Sequence, residues 1–143
     1  MDNISIISFD IRDNQNFELA KKIRNEVFVK EQYLDQFLEY DGLDRQSTQY
    51  LISKDKKPVG TARWRTTYDG IKLERFAVLK EYRKQNIGII LLDKILKDIQ
   101  HMDMDVYLNA CVSAVKFFEQ KGFAVEGEKF TEVDIEHYKM LLN

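Results

Sequence analysis

The hydrophobic period of this chain changes at residue 87, and that change limits the folds open to it more than any other feature. Between residues 49 and 79, three runs (49–53, 59–67 and 72–79) carry β-branched and aromatic residues. They are separated by Asp55-Lys56-Lys57-Pro58 and by Tyr68-Asp69-Gly70, whose Asp-Gly pair signals a tight turn. This pattern predicts an antiparallel meander. Beyond it, Ile87, Leu91, Leu92, Ile95, Leu96 and Ile99 form one apolar stripe, so residues 87–100 are expected to be a helix packed on that sheet.

The flanking segments extend the pattern. Ile4, Ile7 and Phe9 alternate with short polar residues and read as a first strand over residues 3–9. Phe17, Leu19, Ala20, Ile23, Val27 and Phe28 recur at helical spacing, which predicts an amphipathic helix over 16–32, followed by a loop or short helix. A short strand is expected over 106–110. A second helix carries Val115, Phe117, Phe118 and Gln120 and is ended by Gly122. Strands over about 123–132 and 135–142 close the chain. The order of elements defines an α/β protein with helices against a mixed sheet.

Length and charge narrow the function. The 143 residues are expected to form a single domain, residues 1–143, large enough to bury a core without metal or disulfides. With 22 basic and 24 acidic residues the net charge is −2, and the basic residues are scattered, so nucleic acid is not an expected partner. The N-terminus shows no basic segment ahead of an apolar one, and the longest aliphatic stretch, near Ile87 to Leu92, is far too short to span a bilayer. With its single cysteine, Cys111, the chain reads as soluble and cytoplasmic, with no membrane partner. His101, His137 and Cys111 make no metal-ligand cluster, so no metal is expected.

The most informative junction runs from Leu73-Glu74-Arg75-Phe76-Ala77-Val78 through Arg83-Lys84-Gln85-Asn86-Ile87-Gly88 into the helix. A strand leading through a short basic turn to a helix N-terminus gathers unpaired backbone N–H groups and the positive end of the helix dipole at one point, which suits an anion. Gly88 would admit a phosphate close to the backbone, and Asn86 tolerates positive φ. An ordinary strand-to-helix turn with a solvated basic patch would look the same on these six residues. The glycines of the dinucleotide fingerprint and of the Lys-Ser/Thr phosphate loop are absent.

Here the sequence resembles the GNAT family of acetyl-coenzyme A dependent N-acyltransferases. Their pyrophosphate loop reads Arg or Gln, two residues, Gly, one residue, Gly or Ala; in this chain it is Arg83 to Gly88, with Asn86 in place of the first Gly. Ala114, Phe117, Phe118, Glu119, Gly122 and Phe123 resemble the family's second block. Upstream, Arg24, Val27, Phe28, Glu31, Gln32, Glu39, Asp41, Asp44 and Gly60-Thr61-Ala62-Arg63 look like the small bacterial ElaA-type branch, as do Glu132, Ile135, His137 and Met140.

The resemblance implies a GNAT-like central sheet of about seven strands, mixed but mostly antiparallel and flanked by helices, with acetyl-coenzyme A as acyl donor. Pantetheine would pair with the backbone of Phe76, Ala77 and Val78, and pyrophosphate would sit on the turn and helix start formed by Arg83, Lys84, Gln85, Asn86, Ile87, Gly88 and Ile89, with Phe118 also at the donor. The thioester would lie near Asn109, at the end of the following strand. One departure matters: Phe118 stands where the family usually places a Tyr that protonates the departing thiolate. Tyr107, Tyr138 or water are the alternatives. Glu74 and His137 are candidate general bases, although a salt-bridged Glu74 and a surface His137 would read the same. Cys111 lies just past the strand end, where a packed thiol is a simpler reading than a nucleophile.

Catalysis is thus expected from Glu74, Asn109 and Tyr138, and acceptor contacts from Glu31, Arg63, Arg65 and His137. Residues 31–45 hold five acids against one base, and residues 126–136 five acids with Lys129, so a cationic amine would be attracted there, whereas Arg63 and Arg65 suit an anionic acceptor. The expected partner is a small-molecule or peptidyl primary amine, with a homodimer as the oligomer. The competing reading is a coenzyme A sensor or partner-binding module that has lost transfer, for which Phe118 and Asn86 argue.

Overall fold

A computed structural model describes residues 3–34 and 41–143. Its strands are β1 (Ile4–Phe9), β2 (Thr48–Lys54), β3 (Lys57–Thr67), β4 (Gly70–Val78), β5 (Val106–Cys111), β6 (Phe123–Glu132) and β7 (Ile135–Leu142). The helices are α1 (Asn14–Arg24), α2 (Ile87–Ile99) and α3 (Val115–Glu119). Strand order is β1-β2-β3-β4-β5-β7-β6. The β1/β2, β2/β3, β5/β7 and β6/β7 pairs are antiparallel and β4/β5 is parallel. This is the mixed, mostly antiparallel sheet of seven strands expected from the sequence.

Two compact units share these elements. The first comprises residues 1–64 and 75–103, the second residues 65–74 and 104–143. In the first unit, Ala20, Ile23 and Val27 are buried with Leu51 and Ala77, and Phe9, Leu19, Phe28 and Leu79 pack against them. Helix α2 buries its whole predicted stripe apart from Leu96, each such side chain contributing roughly 1.5–3 kcal/mol.

The helix predicted over 16–32 instead stops at Arg24 and widens into a π-helical turn over Asn25–Glu31. Gln32 N–H reaches the Val27 carbonyl, five residues back, at 3.1 Å. Val27 is buried in the core at this wider turn and the adjacent Phe28 packs against it. Pro58, expected in a turn, lies inside β3. The turn is Asp55-Lys56 alone, both at positive φ (49° and 69°), and Pro58 faces Ser53 where the β2/β3 register shifts, a bulge that needs no N–H from proline.

In the second unit, Val106, Leu108, Ala110, Phe118, Phe123 and Met140 are buried. The β4/β5 register runs Ile71↔Val106, Lys72↔Tyr107, Leu73↔Leu108. Gly70 opens β4 at φ +135°, and a Cβ there would stand 2.3 Å from the Asp105 carbonyl oxygen, so only glycine fits.

Candidate active site

In the first unit, the chain leaves β4 through a 3-10 turn, Lys80–Tyr82, and enters α2 behind Asn86, whose φ of 65° and ψ of 11° place it in the left-handed region. Lys84 is left-handed too, at φ 63°. The Asn86 side chain makes no capping hydrogen bond, and Ile90 N–H donates to the Asn86 carbonyl at 3.0 Å to close the first helical turn. The N–H groups of Ile87, Gly88 and Ile89 therefore have no intrahelical acceptor, and with the helix dipole they form a site that suits an anion. The Arg83 N–H, grouped with these in the sequence reading, donates instead to the Lys80 carbonyl at 3.3 Å.

The Arg83 side chain works as a staple. Its Nε donates to the Val78 carbonyl at 2.9 Å, and Nη1 and Nη2 fork onto the two oxygens of Glu31 at 2.6 Å each. Arg83 holds the Glu31 carboxyl below its usual range and is itself raised by that bond. Glu31, expected at the acceptor, is thus a partner of the basic turn. Gln85 is also engaged, accepting from Lys54 Nζ at 2.5 Å and donating to the Glu81 carbonyl at 3.1 Å.

A second cluster in this unit was missed as a unit by the sequence reading. Asp44 Oδ1 accepts from Arg24 Nη1 (2.8 Å), Arg63 Nη1 (2.9 Å) and Gln49 Nε2 (3.0 Å). Asp41 Oδ2 accepts from Arg63 Nη2 (2.8 Å) and Arg75 Nη2 (3.2 Å). Arg63 is 0% exposed, and a guanidinium wholly buried between two carboxylates has no face to offer an acceptor. Burial pushes the Asp41 carboxyl up, but hydrogen bonds from Arg63 and the Leu43 N–H, with the Arg63 and Arg75 charges, bring it down to about 2. Burial likewise raises Asp44, and the Arg24 and Arg63 contacts outweigh it and lower it. The signal was present: Arg24, Asp41, Asp44 and Arg63 all belong to the upstream part of the resemblance. Asp35 and Glu39, counted with the acids of residues 31–45, lie outside the described residues.

In the second unit, the register assigns faces. Opposed residues of paired strands share a face, and faces alternate along each strand. Asn109↔Lys139 and Cys111↔His137 therefore lie on one face, while Ala110↔Tyr138 lie on the other. Lys72, opposite Tyr107, shares the face of Asn109, and so does Glu74, which Arg65 Nε meets at 2.7 Å and Lys72 Nζ at 3.3 Å. One face of this unit thus gathers Arg65, Glu74, Asn109 and His137 and leaves Tyr138 behind it.

Hydrogen bonds sort the candidate acids and bases. His137 Nδ1 is 2.8 Å from the Ile135 carbonyl oxygen, which can only accept, so Nδ1 donates, and in the neutral ring the lone pair is on Nε2. The ring stacks on Phe130 at 6.0 Å. Thr67 Oγ1 donates to the Gly70 carbonyl at 3.0 Å, so the 2.6 Å contact with Tyr107 is donated by the phenol. That removes Tyr107 as a proton source for a departing group. Phe118 is 6% exposed, edge-on to Phe117 and Phe123 with centroids at 4.9 and 5.9 Å. Cys111 Sγ contacts Ser113 Oγ at 3.4 Å.

Comparison with known proteins now identifies the class. The family model for the acetyltransferase (GNAT) domain matches residues 10–143. The uncharacterized N-acetyltransferase YjcF of Bacillus subtilis is 34% identical over 132 residues, 91% of this chain and 94% of YjcF. An acyl-CoA N-acyltransferase from Pseudomonas aeruginosa superposes with a TM-score of 0.88 at 23% identity, covering 99% of this chain and all of that one. ElaA of Escherichia coli gives 0.86 at 26%, covering 97% and 99%. A more distant neighbour with TM-score 0.76 and 14% identity, covering 96% of this chain and 95% of its own, is an aminoglycoside 6'-N-acetyltransferase solved with coenzyme A. The chain belongs to the GNAT acetyltransferase family and is an acyl-coenzyme A dependent acetyltransferase. Among the described residues, no helix is long and apolar enough to cross a membrane.

Proposed function

We propose that this enzyme moves an acetyl group from acetyl-coenzyme A to the primary amine of a small molecule by direct attack in a ternary complex. The observation that carries the donor half is the start of α2 behind left-handed Asn86, where uncapped N–H groups suit a pyrophosphate. Phe76, Ala77 and Val78 would offer backbone pairing to the pantetheine amides, as an extended ligand adds to a strand. The donor supplies an activated carbonyl with a thiol leaving group of pKa about 8.5 in its free form.

For the acceptor half, His137 is the preferred base. Its Nε2 lone pair can take the ammonium proton, leaving a neutral amine to attack the thioester carbonyl; the C–N bond forms, the C–S bond breaks with its electron pair on sulfur, and the second nitrogen proton passes through water to the thiolate. Glu74 is held by Arg65 Nε at 2.7 Å and Lys72 Nζ at 3.3 Å, so in this reading it serves to place those two side chains. Asn109 would orient the acyl group from the same face as His137. Tyr138 lies on the opposite face, away from this group, so water is the proton source for the thiolate. Arg65 remains the acceptor contact from β3.

Acetyl-coenzyme A consumption with a panel of amines tests the reading, and no turnover with any amine in a protein that binds the donor would refute it. His137→Gln should lower kcat/KM by about a hundred-fold with donor affinity unchanged by calorimetry. A His137→Gln enzyme as fast as wild type from pH 6 to 9 would remove His137 from the mechanism.

A further inference from the structure

One residue of β4 has a backbone conformation at odds with its place in the fold. Arg75 lies within the strand yet has φ of 58°, a left-handed conformation that a non-glycine residue keeps only where its surroundings hold it. A single left-handed residue turns the adjoining peptide planes out of the regular ladder, as a bulge does. The β4/β5 register ends at Leu73↔Leu108, two residues earlier, and the next residues of β4 are Phe76, Ala77 and Val78. The backbone that would pair with pantetheine therefore begins directly after the distortion.

The Arg75 side chain leads to what holds it. Its Nη2 meets Asp41 Oδ2 at 3.2 Å, and the same oxygen is met by Nη2 of the wholly buried Arg63 at 2.8 Å. Arg63 also binds Asp44 at 2.9 Å, and Asp44 is fixed from the other side by buried Arg24 at 2.8 Å and by Gln49. Asp41 thus joins the residue that distorts the strand to an anchor that cannot move without leaving buried charges unpaired.

We propose that Asp41 is a positioning residue for acetyl-coenzyme A: braced by Arg63, it holds Arg75 and so keeps the left-handed turn that presents the Phe76–Val78 backbone to pantetheine. The inference rests on the donor reading given above and adds to it a residue that need not touch the donor.

The test separates conformation from tether. Glycine adopts positive φ freely, so Arg75→Gly should keep the strand distortion without any clamp, whereas Arg75→Ala loses the clamp and retains the Cβ that disfavours this conformation. Calorimetry with acetyl-coenzyme A should show Arg75→Gly within about three-fold of wild type and Arg75→Ala weaker by roughly five- to thirty-fold, the range that a left-handed Ala implies. Asp41→Asn should weaken binding by a similar factor in the wild-type background and by less than two-fold in the Arg75→Gly background. A structural loosening of residues 41–47 would persist in both backgrounds. Equal affinities for Arg75→Gly and Arg75→Ala, or an Asp41→Asn effect of the same size in both backgrounds, would overturn the inference. Should Asp41→Asn fail to fold, as judged by circular dichroism, the Gly and Ala pair decides alone. A wild-type protein that binds no acetyl-coenzyme A would instead refute the donor reading, which is a different outcome.

Discussion

Replacing Glu31 with Gln removes the charge from the fork that staples Arg83, and its effect can be worked out from the geometry. Both Glu31 oxygens lie 2.6 Å from guanidinium nitrogens, the bidentate arrangement that makes such pairs strong. Buried, a charge-assisted bond of this kind is worth roughly 1.5–3 kcal/mol. Here the two side chains are 36% and 35% exposed, so water screens the pair and about 0.5–1 kcal/mol is the appropriate figure. Glu31→Gln should therefore lower the melting temperature by roughly 2–4 °C. A turn held less firmly at the start of α2 should also bind acetyl-coenzyme A about two- to five-fold more weakly. Arg83→Gln removes in addition the bond to the Val78 carbonyl and should cost about ten-fold or more. Because both changes dismantle one staple, the double variant should match Arg83→Gln within a factor of two, which calorimetry on the four proteins measures. A Glu31→Gln protein that binds the donor more tightly than wild type would refute the reasoning, since it would show Glu31 competing with the pyrophosphate for Arg83.

Three further outcomes follow from the same geometry. Asn86→Gly should leave donor affinity unchanged and Asn86→Val should weaken it severely, since a β-branched residue at φ 65° is an outlier; calorimetry giving equal affinities would remove the left-handed turn from the binding argument. The Asp41 carboxyl is held at about 2, below its unfolded value near 3.8, so its stabilisation is present above pH 4 and is lost as pH falls through 2; urea titrations should show lower stability at pH 2.5 than at pH 5, by roughly 0.5–1 kcal/mol from this solvent-screened group, and Asp41→Asn should shrink the difference. Phe118→Tyr would put a hydroxyl among edge-packed rings at a site only 6% exposed, so it should lower stability by roughly 1–3 kcal/mol without raising the rate, and a faster enzyme at unchanged donor affinity would overturn this.

The elements of the fold were readable because each is a local pattern. The stripe from Ile87 to Ile99 and the alternation in the meander need no knowledge of what they pack against, and the two closing strands begin and end at Phe123–Glu132 and Ile135–Leu142 as read. Local reading failed where a tertiary demand overrode the pattern. Val27 and Phe28 fit a helical period as well as the wider turn they adopt, and only the shared core of the first unit selects between them. Pro58 reads as turn punctuation, and the shifted register that lets it sit in β3 depends on its partner Ser53, with Thr48–Lys54 paired in a register the sequence does not state.

The turn into α2 was legible for the same reason as the helix that follows it: a basic turn, a residue tolerant of positive φ and a glycine lie close together, and Asn86 is left-handed as its type allows. The pairing of the acidic segments was not legible, because charge counted along a chain does not say which carboxylates meet a cation. By count, Glu31, Asp41 and Asp44 are negative charge open to a cationic amine, yet each is held by an arginine: Arg83 is 52 residues from Glu31, and Arg63 is 22 and 19 residues from Asp41 and Asp44. In the other acidic segment, Glu136 pairs with Lys129 at 2.6 Å and Glu126 with Lys139 at 3.6 Å. Each paired carboxylate has its field largely cancelled within a few ångströms, so a sum over sequence overstates the potential an approaching amine would meet. On the reading proposed above, selection of the acceptor would fall to directed groups on one face of the second unit, among which His137, whose Nδ1 donates to a carbonyl two residues away, would accept the amine proton.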